Sequence, residues 1–277
     1  MTAVATNATN HRAEAGYRYP AFEVTITAAE QRRLHGWCDI AADVFGDVAD
    51  PTFVGRPPIL LNTATIQASR PGWGPVHLVQ RLRQERPIRL DETLRVHGQV
   101  TALEPHARGT IMLSRWEYRD AAGATPFVVE PAVLMIDPQA SAASRSQMTT
   151  TATSAETEWE PLARHVCSPE TTLGYCEGSS NLIHLDPDYA RGFGLRAPII
   201  AGMQTVNFLV EPLYREAPPA AVEMCIEFLR PVFWDDELTV SGCRDATGRL
   251  VEIRALNGAG KAVAALRIAH EEHGRAL

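Results

Sequence analysis

Two stretches of this chain recur in the same order and at nearly the same interval. Arg86 to Gly98 reads RPIRLDETLRVHG, and Arg230 to Gly242 reads RPVFWDDELTVSG. The two agree at Arg, Pro, Asp, Leu, Val and Gly. Arg56 to Gln67 (RPPILLNTATIQ) aligns in the same way with Arg196 to Asn207 (RAPIIAGMQTVN). The interval is about 140 residues in both cases, which makes a duplicated plan the simplest reading. In the first pair Pro opens a strand at an edge, an acidic turn follows, and alternating apolar residues resume.

Each copy also opens alike. Thr27 and Glu30 stand at capping-box spacing ahead of one helix. Ser168 as N-cap and Pro169 at the first helical position start another. After its helical part, each half turns to strand signals. These are Leu94 to Leu103, Thr110 to Tyr118 and Phe127 to Ile136 in the first half. In the second they are Val222 to Phe228, Leu238 to Cys243, Leu250 to Leu256 and Ala262 to Ile268. Turn signals at Ala122-Gly123 and Thr247-Gly248 separate the later strands. Helix followed by a run of strands, twice over, is an α+β pattern. Residues 138–158, rich in Ser, Thr and Ala without apolar period, read as a linker between a half spanning 17–137 and one spanning 159–277. Residues 1–16 read as a disordered tail without the apolar core of a signal peptide.

Composition narrows the partners. At 277 residues and 45% hydrophobic the chain can bury a sizeable core, yet no apolar run approaches the roughly 20 residues of a membrane span. The net charge of −7 disfavours nucleic acid as a general partner, though a local basic patch could still hold phosphates. Five scattered cysteines without a C-x-x-C pair argue against zinc and against a disulfide framework, and a reducing cytoplasm is expected. No G-x-G-x-x-G, Walker or G-x-S-x-G motif is found.

The chemistry concentrates in residues 175–203, YCEGSSNLIHLDPDYARGFGLRAPIIAGM. A polar turn carries Asn181 and His184, a second turn surrounds Pro187, and a small-residue run, Ala201-Gly202-Met203, opens an apolar helix. A turn histidine and a helix opening together supply a proton acceptor and backbone donors, as chemistry on a thioester carbonyl requires. His184 titrates near neutrality when unperturbed, so it suits general acid–base work. The plain alternative is a turn histidine bonded to backbone. Asn181 either positions water or substrate or makes an ordinary Asx turn.

This stretch resembles the MaoC-like, (R)-specific enoyl-CoA hydratase family. The matches are Gly178, Asn181, Ile183, His184, Asp186, Pro187, Tyr189 and Ala190, then Pro198, Ile199, Gly202 and Met203. Three positions depart from the family pattern. Ser179 stands where the family has its catalytic Asp, Leu182 replaces a Pro, and Ala201 replaces a second His. The resemblance implies a double hotdog, in which each half wraps an antiparallel sheet around a central helix. Those helices would begin near Leu60 and near Ala201. It further implies hydration of an enoyl thioester, or the reverse dehydration, with His184 handling the proton and the Gly202 N–H polarising the carbonyl. Asn181 and Ser179 would hold the water, and Tyr175, Ala201 and Met203 would contact substrate. CoA or acyl carrier protein would enter as part of the substrate, with no separate cofactor and no metal, and a homodimer is expected.

Ser179 offers a neutral donor and acceptor in place of a charge. Glu177, Asp186 and Asp47 are the carboxylates nearest in sequence that could substitute. Glu177 is one residue out of phase, Asp186 belongs to a turn, and Asp47 reads as a lone turn residue in a shortened first-half echo, Gly46 to Pro51. Two rivals keep the fold: a specialised biosynthetic isomerase, lyase or dehydratase, and a non-catalytic acyl-thioester-binding subunit. Arg81, Arg83, Arg86, Arg89 and Arg95 could form a phosphate site for CoA, although the solvated side of a strand explains them better. The five tryptophans are expected to pack in the sheets or line an acyl pocket.

Overall fold

The computed structural model describes residues 11–140, 158–179 and 181–272. The first half contains β1 (Phe22–Thr25), α1 (Ala28–Gly36), α2 (Pro51–Val54), α3 (Arg56–Ser69), β2 (Gly74–Gln84), β3 (Thr93–His106), β4 (Gly109–Arg119) and β5 (Phe127–Ile136). The second contains β6 (Glu160–Val166), α4 (Pro169–Tyr175), a 3-10 turn (Leu182–His184), α5 (Pro187–Gly192) and α6 (Gly202–Glu216). It continues through β7 (Ala221–Phe228), β8 (Glu237–Arg244), β9 (Leu250–Asn257) and β10 (Ala262–Glu272). The strands form one ten-stranded sheet in the order β1-β3-β4-β5-β2-β7-β10-β9-β8-β6. Read from its centre outward, each half follows the same sequence of strands, as a duplicated plan demands. The halves meet where β2 and β7 pair antiparallel, Val79 opposite Glu227 through Gln84 opposite Val222.

The sheet curves around α3 and α6, giving the expected double hotdog. Helix α6 is central: every residue from Met203 to Tyr214 is buried, the polar Gln204, Thr205, Asn207 and Glu211 included. Helix α3 buries polar groups that are paired: Asn62 donates to Ser114 Oγ at 2.8 Å and accepts from the Tyr19 hydroxyl at 3.0 Å. It begins four residues before the expected Leu60 because Pro57 and Pro58 occupy its first turn, where a missing N–H costs nothing. Thr27 and Ser168 cap α1 and α4 as their spacing suggests. One hydrophobic cluster spans both halves, from Trp116, Phe127 and Leu82 to Leu209, Ile253 and Leu266. The tail expectation needs correction at its inner end. Ala13 is buried and its N–H donates to Ser69 Oγ, and the Gly16 N–H donates to Val100 O. Residues 1–10 and most of the expected linker, 141–157, lie outside the described residues. Among the described residues no helix is long and apolar enough to cross a membrane.

Candidate active site

Helix α4 ends at Tyr175, and the chain then turns sharply. Gly178, at φ +76°, takes a left-handed conformation that other residues resist. The Ser179 N–H donates to Cys176 O at 2.8 Å, and Ser179 Oγ accepts the Asn181 N–H at 3.2 Å. Asn181 caps the 3-10 turn, its Oδ1 accepting from Ile183 N at 3.4 Å, which aims Nδ2 the other way, toward His184 Nε2 at 3.3 Å. His184 Nδ1 lies 2.9 Å from Ile199 O. A carbonyl only accepts, so Nδ1 carries the proton and Nε2 presents its lone pair. Burial lowers the His184 pKa from 6.5, and the bond to the Ile199 carbonyl partly offsets this. The ring is therefore neutral at neutral pH, in the tautomer that can accept a proton at Nε2.

Ile199 links this turn to the second element of the site. Its N–H donates to Ile183 O at 3.3 Å, the Ile200 N–H donates to Val232 O at 2.9 Å, and α6 then begins at Gly202. No more than about 11 Å of chain separates Ile199 from Gly202. Ala201 is the N-cap and offers no side-chain cap bond. The N–H groups of Gly202 and Met203 are among the first four of the helix, beyond the reach of any intrahelical carbonyl, and sit at its positive end. Space beside Gly202 is tight: a Cβ there would stand 3.2 Å from Phe228 Cε1 and 3.4 Å from His77 Nδ1.

His77 comes from the other half and had no signal in the sequence beyond a lone histidine in VHLVQ. A bulge between His77 and Val79 in β2 shifts the strand phase, so His77 faces the same side as Gln80. Its Nε2 contacts Val79 O at 3.1 Å and Gln80 Oε1 at 3.0 Å, while Gln80 Nε2 donates to Gly55 O at 3.5 Å. Two acceptors face Nε2, so the proton sits there. Nδ1 is a buried lone pair with no partner. The ring packs on Phe228 at 4.4 Å, and burial drives its pKa down to about 4.

Other expected site residues lie elsewhere. Tyr175 is a core residue, not a substrate contact: it is buried, its hydroxyl donates to Asn207 Oδ1 at 2.8 Å, and the Arg56 guanidinium lies over its ring. Met203 also packs in the core, and Ala201 borders it. Glu177 faces outward to Arg33, Asp186 caps α5 through Asp188 N and Tyr189 N, and Asp47 pairs with Arg89 on the surface. None of these carboxylates bonds His184. Arg86 pairs with Glu92 and Asp120, and Arg83 with Glu85, so the basic run is largely neutralised along a solvated strand. A surface cleft lined by Leu213, Glu216, Thr247 and Arg249 lies at the opposite end of α6 from Gly202 and is remote from these groups. Among the described residues no group of three or more His, Cys, Asp or Glu could hold a metal ion.

Residues 145–255 match the family model of the MaoC like domain. This match falls in the C-terminal half, which is similar to a MaoC-like domain. No curated protein matches the chain. Among solved structures, HtdX from Mycobacterium tuberculosis is similar over 90% of this chain and 99% of its own, at 17% identity and a TM-score of 0.73. A second Mycobacterium tuberculosis protein, described as having a double hotdog fold, matches over 92% of this chain and 95% of its own, at 16% identity and a TM-score of 0.60. The Drosophila melanogaster peroxisomal multifunctional enzyme type 2 matches over 90% of this chain and 48% of its own, at 21% identity and a TM-score of 0.66. At these identities the structural likeness shows the fold. The residues matched by the family model contain both the His184 turn and the start of α6.

Proposed function

We propose that the protein hydrates a trans-2-enoyl thioester carried on CoA or acyl carrier protein, or dehydrates the corresponding 3-hydroxyacyl thioester. The observation that carries this reading is the tautomer of His184, fixed by Ile199 O so that Nε2 is the basic nitrogen. A water that replaces the Asn181 Nδ2–H at the Nε2 lone pair loses a proton to His184 as its oxygen bonds to C3. The double-bond electrons move toward the thioester, whose oxygen takes up the charge and accepts the Gly202 N–H. The imidazolium then returns the proton to C2, so one water is added with no proton left over. A single base suffices on this route, which is why Ser179 can stand where a carboxylate would otherwise share the work. Ser179 holds the turn through its bond to the Asn181 N–H.

Hydration of crotonyl-CoA, followed by loss of enoyl absorbance, tests this. Wild type should turn over, and His184→Ala should lose about 10²- to 10⁴-fold in rate. Activity unchanged in His184→Ala would overturn the mechanism. An inactive wild type revived by Ser179→Asp would favour a specialised lyase or isomerase. Acyl-CoA binding without turnover in either form would favour a binding subunit.

A further inference from the structure

The site as described draws both of its reactive groups from the C-terminal half, yet the imidazole facing the Cβ position of Gly202 belongs to the N-terminal half. The tautomer of His77 is fixed by a chain of bonds: Gly55 O accepts from Gln80 Nε2, and Gln80 Oε1 and Val79 O accept from His77 Nε2. What remains is one lone pair, Nδ1, buried, unpartnered, and 3.4 Å from where a side chain on Gly202 would begin. Leaving such an acceptor unsatisfied costs about 1–3 kcal/mol, so native structures seldom keep one without a use. Core packing alone would be served better by phenylalanine, since the ring already lies against Phe228. A neutral acceptor beside Gly202, whose N–H is proposed to polarise the carbonyl, calls for a donor on the substrate.

We propose that His77 is a substrate-contacting residue whose Nδ1 accepts a hydrogen bond from the 3-hydroxyl of a 3-hydroxyacyl thioester. This rests on the hydration reading above. In the hydration direction the same lone pair receives the second hydrogen of the attacking water while His184 takes the first. The donor belongs to the acyl portion because Nδ1 points inward beside Phe228 and the start of α6, whereas a carrier arm must reach the surface. His77 thus supplies a second acceptor for the water, since Ser179 Oγ is engaged by the Asn181 N–H, and it makes the site a joint product of both halves.

Isothermal titration with 3-hydroxybutyryl-CoA and with butyryl-CoA, which lacks only the hydroxyl, separates the outcomes. Wild type should bind the hydroxylated ligand about tenfold more tightly. His77→Phe keeps the ring packing and should erase that preference while leaving butyryl-CoA affinity intact, which also shows that the variant is folded. His77→Gln, which restores an acceptor, should recover part of it. An equal loss for both ligands in His77→Phe would mean packing or carrier contact and would overturn the assignment. So would a wild type indifferent to the hydroxyl. A wild type that binds neither thioester would remove the hydration reading itself, and the role of His77 with it.

Discussion

His184 reaches its working state through one backbone carbonyl. With Nδ1 donating to Ile199 O and burial lowering its pKa from 6.5, the ring is the neutral, proton-accepting form at pH 7. The sign of the pH dependence follows. The base must be unprotonated for either direction of the reaction, so kcat/KM should be flat through neutrality and fall as pH drops through a pKa below 6.5. A pH–rate profile on crotonyl-CoA checks this, and an acid limb centred above 7 would contradict it. Ser179 belongs to a different class of effect. Its Oγ accepts a backbone N–H in the turn, and loss of one such bond is worth about 1 kcal/mol. Ser179→Ala should therefore reduce the rate by no more than about tenfold, far less than His184→Ala.

Between elements, the two halves are locked by a buried polar cluster around Asp50, which caps α2 as Asp186 caps α5 in the other half. Its carboxylate accepts from Thr52 N at 2.7 Å and from Asn207 Nδ2 of α6 at 2.7 Å, and lies 3.0 Å from His35 Nε2 of α1. Asp50 and His35 are both inaccessible to solvent at the side chain, 0% and 2%. Removing one member of such a set leaves the others desolvated and unpaired. Asp50→Asn, which turns an acceptor toward donors into a donor, should cost on the order of 3 kcal/mol in urea unfolding. This cluster was not legible in the sequence, where Asp50-Pro51 reads only as a turn. The short edge strands β1 and β6 carried no signal that was read, while β3 to β5 and β7 to β10 were legible from their apolar patterning. Strand β2 was not, because its inward positions include Gln80 and Gln84 and its outward ones Arg81 and Arg83, which together read as a basic run. Tyr175 shows the complementary limit: it is close to the motif in sequence, but the helix it ends points it into the core.

At the scale of the whole molecule, the shared sheet and the single core make acid sensitivity a global property. Four histidines spread along the chain, His11, His77, His165 and His184, have pKa values lowered chiefly by burial, His77 to about 4. In the unfolded chain each returns to about 6.5. Between pH 6.5 and about 4 the unfolded state therefore binds more protons, so unfolding free energy rises with pH across that window. The stability is complete above 6.5 and is lost progressively on acidification, before most carboxylates titrate. Urea midpoints should fall steadily from pH 7 to pH 5, with both halves losing signal in one transition because they share a core. His77→Phe removes one of these four groups and should make the decline shallower, independently of any effect on ligand binding. A decline of the same slope in wild type and His77→Phe would show that the ring at β2 is solvated, and would count against its placement beside Gly202 as well.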